Sequence, residues 1–185
     1  MLTWPPPPPL HIPPSLPPSL PPRRSYICRV FPESKWTRYA CQGHWAASDG
    51  TAMNYKSPAA NMQFQFVVEA ACDVFVNLKQ SDHLEGVAER LDCICALCEV
   101  LECSTDKVGK KCRFPHRVQT VGASNGGVFG YRRDLIVEIP NCQPGAYTIW
   151  PQIYKDGEER GFAVEVLSSK PLRGTADDAI IVATA

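Results

Sequence analysis

The sequence lacks any run of about 20 consecutive apolar residues, the length that a membrane-spanning helix needs. It also lacks an excess of charge of one sign, because 19 basic residues face 19 acidic ones. A chain without net charge creates no dominant electrostatic field, so we predict no nucleic-acid partner. Local charged patches are still compatible with this composition. A proline-rich start cannot form the helical apolar segment of a signal peptide. We therefore expect a cytoplasmic protein whose nine cysteines are reduced thiols.

Proline is concentrated at one end of the chain. Most of the 18 prolines precede Arg23, and consecutive prolines favour an extended polyproline II helix without internal hydrogen bonds. Residues 1–25 are therefore predicted to be a disordered leader. Segment 5–22 is of the kind that docks on SH3, WW or profilin-type domains, so an unrelated β-sandwich adaptor is one alternative. The other is a leader without a partner.

Alternation of apolar and polar residues with a period of two dominates the rest of the chain. It is clearest in Tyr131–Ser169, where Pro144–Gly145 and Asp156–Gly157 supply turns between three short apolar segments. We interpret this stretch as an antiparallel meander with one buried face. Residues 63–70 and 73–79 alternate in the same way, and the short link between them predicts a tight hairpin.

Seven to nine short segments of this kind, without a convincing amphipathic helix, predict an all-β fold. We expect an antiparallel β-sandwich of eight strands over residues 26–170. Residues 171–185 are expected to form a C-terminal tail or an extra edge strand. Within one predicted strand, Phe64 and Phe66 share one face, whereas Gln63 and Gln65 share the polar face.

Three motifs, in order, resemble the calpain family of cysteine proteases (peptidase family C2). Gln42–Phe66 reads QGHWAASDGTAMNYKSPAANMQFQF and is similar to the calpain segment that runs from G-x-W to N-P-Q-F/Y. VFVNLKQSD resembles the family's strand ending in L-x-Q. RDLIVEIPNCQPGAYTIWP and GEERGFAVEVLS resemble P-G-x-Y-x-I-x-P and E-G-x-F-x-L-R-V-x-S. The resemblance spans Trp36–Ser169 and implies the C2-like β-sandwich of calpain domain III.

The sequence departs from the calpain pattern at identifiable positions. Met62 stands where the family has proline, and Asp49–Gly50 stands for its glycine pair. The counterpart of the family's acidic loop, Asp82–Asp92, contains only four acidic residues, diluted by His83 and Arg90. A calcium switch of the conventional kind is therefore not expected. The resemblance is closest in style to atypical calpains without EF-hands.

The sequence also lacks the catalytic motifs of a calpain protease. Q-x-x-x-G-D-C-W, G-H-A-Y and N-P-W-G, which supply the thiolate, the base and its orienting asparagine, do not occur. His44 lies inside the sandwich motif and is not the base, so we predict that the chain is not an enzyme. The resemblance implies a regulatory or accessory module that binds a protease core, another protein or a phospholipid surface. The alternative is a fragment of a larger calpain-like cysteine endopeptidase.

One basic cluster is the candidate binding site. Its side chains belong to Lys107, Lys110, Lys111, Arg113, His116 and Arg117, with Arg132 and Arg133 as candidates to join it in space. Such a cluster suits an anionic lipid headgroup or an acidic partner surface. The alternative is a solvated loop.

Four cysteines within a short segment make zinc a second alternative. They are Cys93, Cys95, Cys98 and Cys103. Zinc takes four sulfur or nitrogen ligands that converge tetrahedrally. Strand alternation instead places Cys93 and Cys95 on one face and Cys98 on the other. We therefore expect these thiols to pack as small hydrophobic groups, and we predict no metal and no cofactor.

Overall fold

A computed structural model describes residues 31–47, 60–80, 93–113, 118–173 and 179–183. The predicted leader, the acidic segment Asp82–Asp92 and the basic residues His116 and Arg117 lie outside the described residues. Phe31–Ala185 forms one compact unit.

The described residues contain ten strands and two 3-10 turns, and no α-helix. None of their helical segments is long and apolar enough to cross a membrane. The strands are β1 Thr37–Trp45, β2 Phe64–Val68, β3 Cys72–Gln80, β4 Cys95–Cys103, β5 Thr120–Ala123, β6 Gly130–Tyr131, β7 Asp134–Cys142, β8 Gly145–Ile153, β9 Arg160–Ser168 and β10 Ile181–Val182. The 3-10 turns are Thr105–Lys107 and Ser124–Gly127.

The strands form two sheets in which neighbours run antiparallel. The first sheet has the order β1-β9-β3-β7, and the second has the order β10-β2-β8-β4-β5, with β6 also beside β4. The predicted all-β antiparallel sandwich is confirmed. Ten strands are described rather than eight because β6 and β10 add two short edge pairs of two residues each. β10 pairs with β2 within the segment where a tail or an edge strand was expected.

The three strands of Tyr131–Ser169 do not form a meander. β7 and β9 lie in the first sheet on either side of β3, whereas β8 lies in the second sheet. The predicted meander is therefore wrong, and so is the predicted hairpin between β2 and β3, which lie in different sheets. A link of a few residues can join neighbours in one sheet or strands in two sheets packed about 10 Å apart. The alternation of side chains is the same in both cases.

The hydrophobic core fills the space between the two sheets. β3 contributes Val74, Val76 and Leu78, which are completely buried, as every second residue of the strand. Part of this core is a cluster of aromatic rings. The ring centroid of Phe162 lies 4.3 Å from that of Trp45. Burial of such large rings supplies much of the hydrophobic stabilisation of a small sandwich.

Gly43 is required by the packing of this aromatic cluster. A Cβ atom at Gly43 would lie 2.6 Å from the ring of Phe162 and 2.9 Å from the ring of Phe64. We expect Gly43→Ala to lower the free energy of unfolding by about 1–3 kcal/mol, because both rings would have to move. Urea denaturation measures this change. Gly145→Ala is the control, since its Cβ would meet Tyr147 at an ordinary 3.7 Å; equal losses for both variants would contradict the prediction.

Candidate functional site

The central strand β8 of the second sheet is buried on both of its faces. In β8, Tyr147, Ile149 and Ile153 belong to the core between the sheets. The alternate residues Thr148 and Trp150 face the other way, yet only 0 % and 6 % of their surfaces are exposed. Part of the covering comes from the segment Ser104–Arg113, which leaves the end of β4 and returns across the outer face of β2.

Two buried glutamines hold this segment in place: Gln65 in β2 and Gln63 directly before it. The Gln65 side-chain amide donates to the Lys110 carbonyl at 3.0 Å, and its oxygen accepts the Gly109 N–H at 2.6 Å. Gln63 binds Cys112 in the same two-way manner, donating to its carbonyl at 3.0 Å and accepting from its N–H at 2.7 Å. The side-chain oxygen and nitrogen of each glutamine both have a hydrogen-bond partner, so burial leaves neither atom unsatisfied. The segment therefore has a defined position over the sheet.

A cavity of about 990 Å³ opens between this segment and the sheet. Its size is at the upper end of the range for small-molecule pockets. Its lining residues are Gln65, Glu102, Cys103, Ser104, Asp106, Lys107, Lys110, Lys111, Cys112, Arg113, Val118 and Gln119. The sheet contributes Gln65 and the end of β4, and the segment contributes most of the charged groups.

Cations outnumber anions around this cavity. Among the described lining residues, Lys107, Lys110, Lys111 and Arg113 supply four positive charges, whereas Glu102 and Asp106 supply two carboxylates. The pKa of Asp106 is lowered mainly by its hydrogen bond from the Ser104 hydroxyl, and the nearby lysines act in the same direction. The Lys111 ammonium also donates to the Ala60 carbonyl at 3.1 Å. The net positive charge suits a ligand that carries phosphate or carboxylate groups.

The structure brings together four of the predicted basic residues and separates two others. Lys107, Lys110, Lys111 and Arg113 line the cavity, near the Cys103 end of β4. Arg132 and Arg133 follow Tyr131, which pairs with Cys95 at the opposite end of the same strand. The eight residue steps from Cys95 to Cys103 span about 26 Å. Arg132 and Arg133 therefore do not contribute to the cavity, and Arg117 lies outside the described residues.

The four clustered cysteines are spread along β4 and do not converge. Cys98 faces the core and is completely buried, and burial raises the pKa of its thiol. Cys95 and Cys103 lie on the opposite face at the two ends of the strand, and Cys93 precedes it. In the described part of the chain, no group of three metal-binding side chains is found. A single zinc ion cannot contact both ends of this strand.

Sequence reasoning missed Gln63 and Gln65 as the residues that position the site. Their alternation with Phe64 and Phe66 suggested an ordinary polar face, but both glutamines are less than 2 % exposed. The available signal was their chemistry: glutamine carries a donor and an acceptor, and two of them in one apolar strand can pair with a covering loop.

No protein-family model matches the chain, and a search of curated proteins finds no significant match.

Proposed function

We propose that this chain is a non-catalytic, cytoplasmic β-sandwich module of the calpain domain III type, which binds an anionic phospholipid surface through the cation-lined cavity. The observation that carries the proposal is the placement of four cationic side chains on one open cavity. The resemblance of three sequence motifs to calpains supports a regulatory or accessory role. The absence of the calpain catalytic motifs from the sequence supports a binding function without catalysis.

The way the cavity is built distinguishes it from an ordinary solvated loop. Flexible lysines on a loose loop lose conformational freedom when they bind, and this loss reduces affinity. Here the Gly109–Cys112 backbone is fixed to the sheet through Gln63 and Gln65. The cationic side chains thus project from a backbone that is already ordered, which lowers the entropic cost of binding an anionic group.

A second candidate function follows from the same charges. An acidic surface on a calpain-like protease core would also be complementary to the cavity. The motif resemblance favours this candidate, in which the chain acts as part of, or beside, a larger cysteine endopeptidase. The two candidates differ in their ligand, so direct binding to protein-free vesicles separates them.

Vesicle binding tests the phospholipid proposal. The chain is expected to sediment with vesicles that contain phosphatidylserine and to remain in the supernatant with phosphatidylcholine alone. Replacing both Lys107 and Lys110 with glutamine is expected to weaken binding roughly 25-fold, because each cation near an anionic surface contributes about fivefold. Both residues are exposed, so the fold should be retained.

The matched control removes the same charge elsewhere. Lys35 and Lys79 are also exposed, and neither lines the cavity. Changing both to glutamine is expected to alter vesicle affinity by less than about threefold. Equal weakening by the two pairs would show that net charge alone drives binding. Failure of the unmodified chain to bind any acidic vesicle would overturn the phospholipid proposal and favour the protein partner.

A further inference from the structure

Two cysteines face each other across neighbouring strands of the first sheet. Cys72 at the start of β3 pairs with Cys142 at the end of β7. Both belong to the hydrophobic core, and 5 % and 3 % of their surfaces are exposed. Directly opposed residues of antiparallel strands have Cα atoms about 4.5–5.5 Å apart. A disulfide requires about 4.4–6.8 Å, so the backbone already has suitable spacing.

An irregularity in β7 produces this alignment. Val74 pairs with Ile139, but Cys72 pairs with Cys142, so β7 contains one more residue than β3 between the two pairs. The extra residue is accommodated at Asn141, which has a φ of 52° and donates its N–H to the Asp73 carboxylate at 2.9 Å. Without it, simple alternation from Ile139 would point Cys142 outward. The β-bulge thus turns Cys142 toward the core, on the same side as Cys72.

The surroundings of the two thiols differ. Burial raises the pKa of both thiols, and at each thiol a neighbouring group partly offsets this rise. At Cys72 the backbone N–H and the positive charge of Lys170 lower the pKa, whereas the Asp73 carboxylate adds to the effect of burial. At Cys142 the opposing group is the Tyr147 hydroxyl. The positive charge of Lys170 favours a thiolate at Cys72, so Cys72 is taken as the attacking sulfur.

We infer that Cys72 and Cys142 form a redox modification site, in which a peroxide converts the two thiols into a reversible disulfide between β3 and β7. The Cys72 thiolate attacks one peroxide oxygen, which breaks the O–O bond and gives a sulfenic acid and water. The Cys142 sulfur then attacks the sulfenic sulfur, forms the S–S bond and releases a second water. Two electrons pass from the two sulfurs to the two oxygens of hydrogen peroxide, and both thiol protons leave in water.

The disulfide would act on the stability of the whole sandwich. It would close a loop that includes β4, β5 and β6, and cross-links across long loops restrict the unfolded chain most strongly. The oxidised protein is therefore expected to melt about 10 °C above the reduced protein. Neither cysteine lines the cationic cavity, so this site does not depend on the proposed phospholipid binding.

Peptide mapping of the oxidised full chain tests the inference directly. The reduced, folded protein is treated with hydrogen peroxide, then unfolded in guanidinium chloride with N-ethylmaleimide to block the remaining thiols, and digested with trypsin. Cys72 is the only cysteine in peptide 57–79, and Cys142 is the only one in peptide 134–155. We expect these two peptides to be joined, with the mass of two hydrogens lost, and dithiothreitol to separate them. Alkylation of both peptides in a protein that remains folded would overturn the inference.

Single substitutions provide the matched comparison. Cys72→Ala is expected to abolish both the joined peptide and the rise in melting temperature on oxidation. Cys112→Ala removes a thiol from the cavity lining and is expected to leave both unchanged. Persistence of the melting-temperature rise in Cys72→Ala would assign the effect to another pair and contradict the inference. If Cys72→Ala does not fold, mapping of the unmodified protein still decides the question.

Discussion

Replacing Gln63 and Gln65 together with leucine is expected to lower the free energy of unfolding by about 5 kcal/mol. The double change removes five hydrogen bonds, two from Gln63 and three from Gln65, including the one that Gln65 donates to the Thr148 hydroxyl at 3.2 Å. Each such bond contributes about 1 kcal/mol net, and partners left unpaired in a covered site add to the loss. Leucine has nearly the volume of glutamine, so the change tests hydrogen bonding and not cavity formation.

Equilibrium urea denaturation measures this effect, and Gln42→Leu is its control. Gln42 is an exposed residue of β1, so its replacement should change stability by less than about 0.5 kcal/mol. The folded fraction of the double variant should also bind phosphatidylserine vesicles more weakly, because the cationic segment loses its attachment to the sheet. A double variant as stable as the unmodified protein would show that the two glutamines do not hold the segment.

The fold class was predictable because the core strands alternate so regularly. In β9, Phe162, Val164 and Val166 are buried at every second position, and this pattern is visible in the sequence. The assignment of strands to sheets was not predictable from the same pattern. β7 and β8 are separated by only two residues yet lie in different sheets, and a connection of that length is equally compatible with a hairpin.

The candidate site was predictable in part for a related reason. Lys107, Lys110 and Arg113 are close in sequence, so a shared surface follows from chain proximity alone. The separation of Arg132 from them depends on the direction of β4, because Arg132 lies beside its first residues and the cavity beside its last ones. Sequence proximity carries no information about that direction. The role of Gln65 could not be predicted for the same reason, because its hydrogen-bond partners lie 44 and 45 residues away in the sequence.

Phe64→Ala is expected to lower the free energy of unfolding by about 4 kcal/mol. The Phe64 side chain is completely buried, and its ring meets the ring of Phe162 edge to face at 6.0 Å. Removing a buried phenyl ring loses its transfer free energy and leaves a cavity that the rigid strands can fill only in part. Urea denaturation measures the loss. Phe75→Ala is the comparison, because Phe75 is only partly buried, and it should cost roughly half as much.

Phe64→Ala and the double glutamine variant change neighbouring residues at the start of β2, on opposite faces of the chain. Phe64 faces the core, whereas Gln65 faces the covering segment. Loss of the ring weakens the sandwich but leaves both glutamine attachments in place, so folded Phe64→Ala protein should bind acidic vesicles with unchanged affinity. Loss of the glutamines should reduce stability and affinity together. If both variants lost vesicle affinity equally, the affinity would depend on the global stability of the sandwich. The position of the cationic segment would then not depend on the local hydrogen bonds of the glutamines.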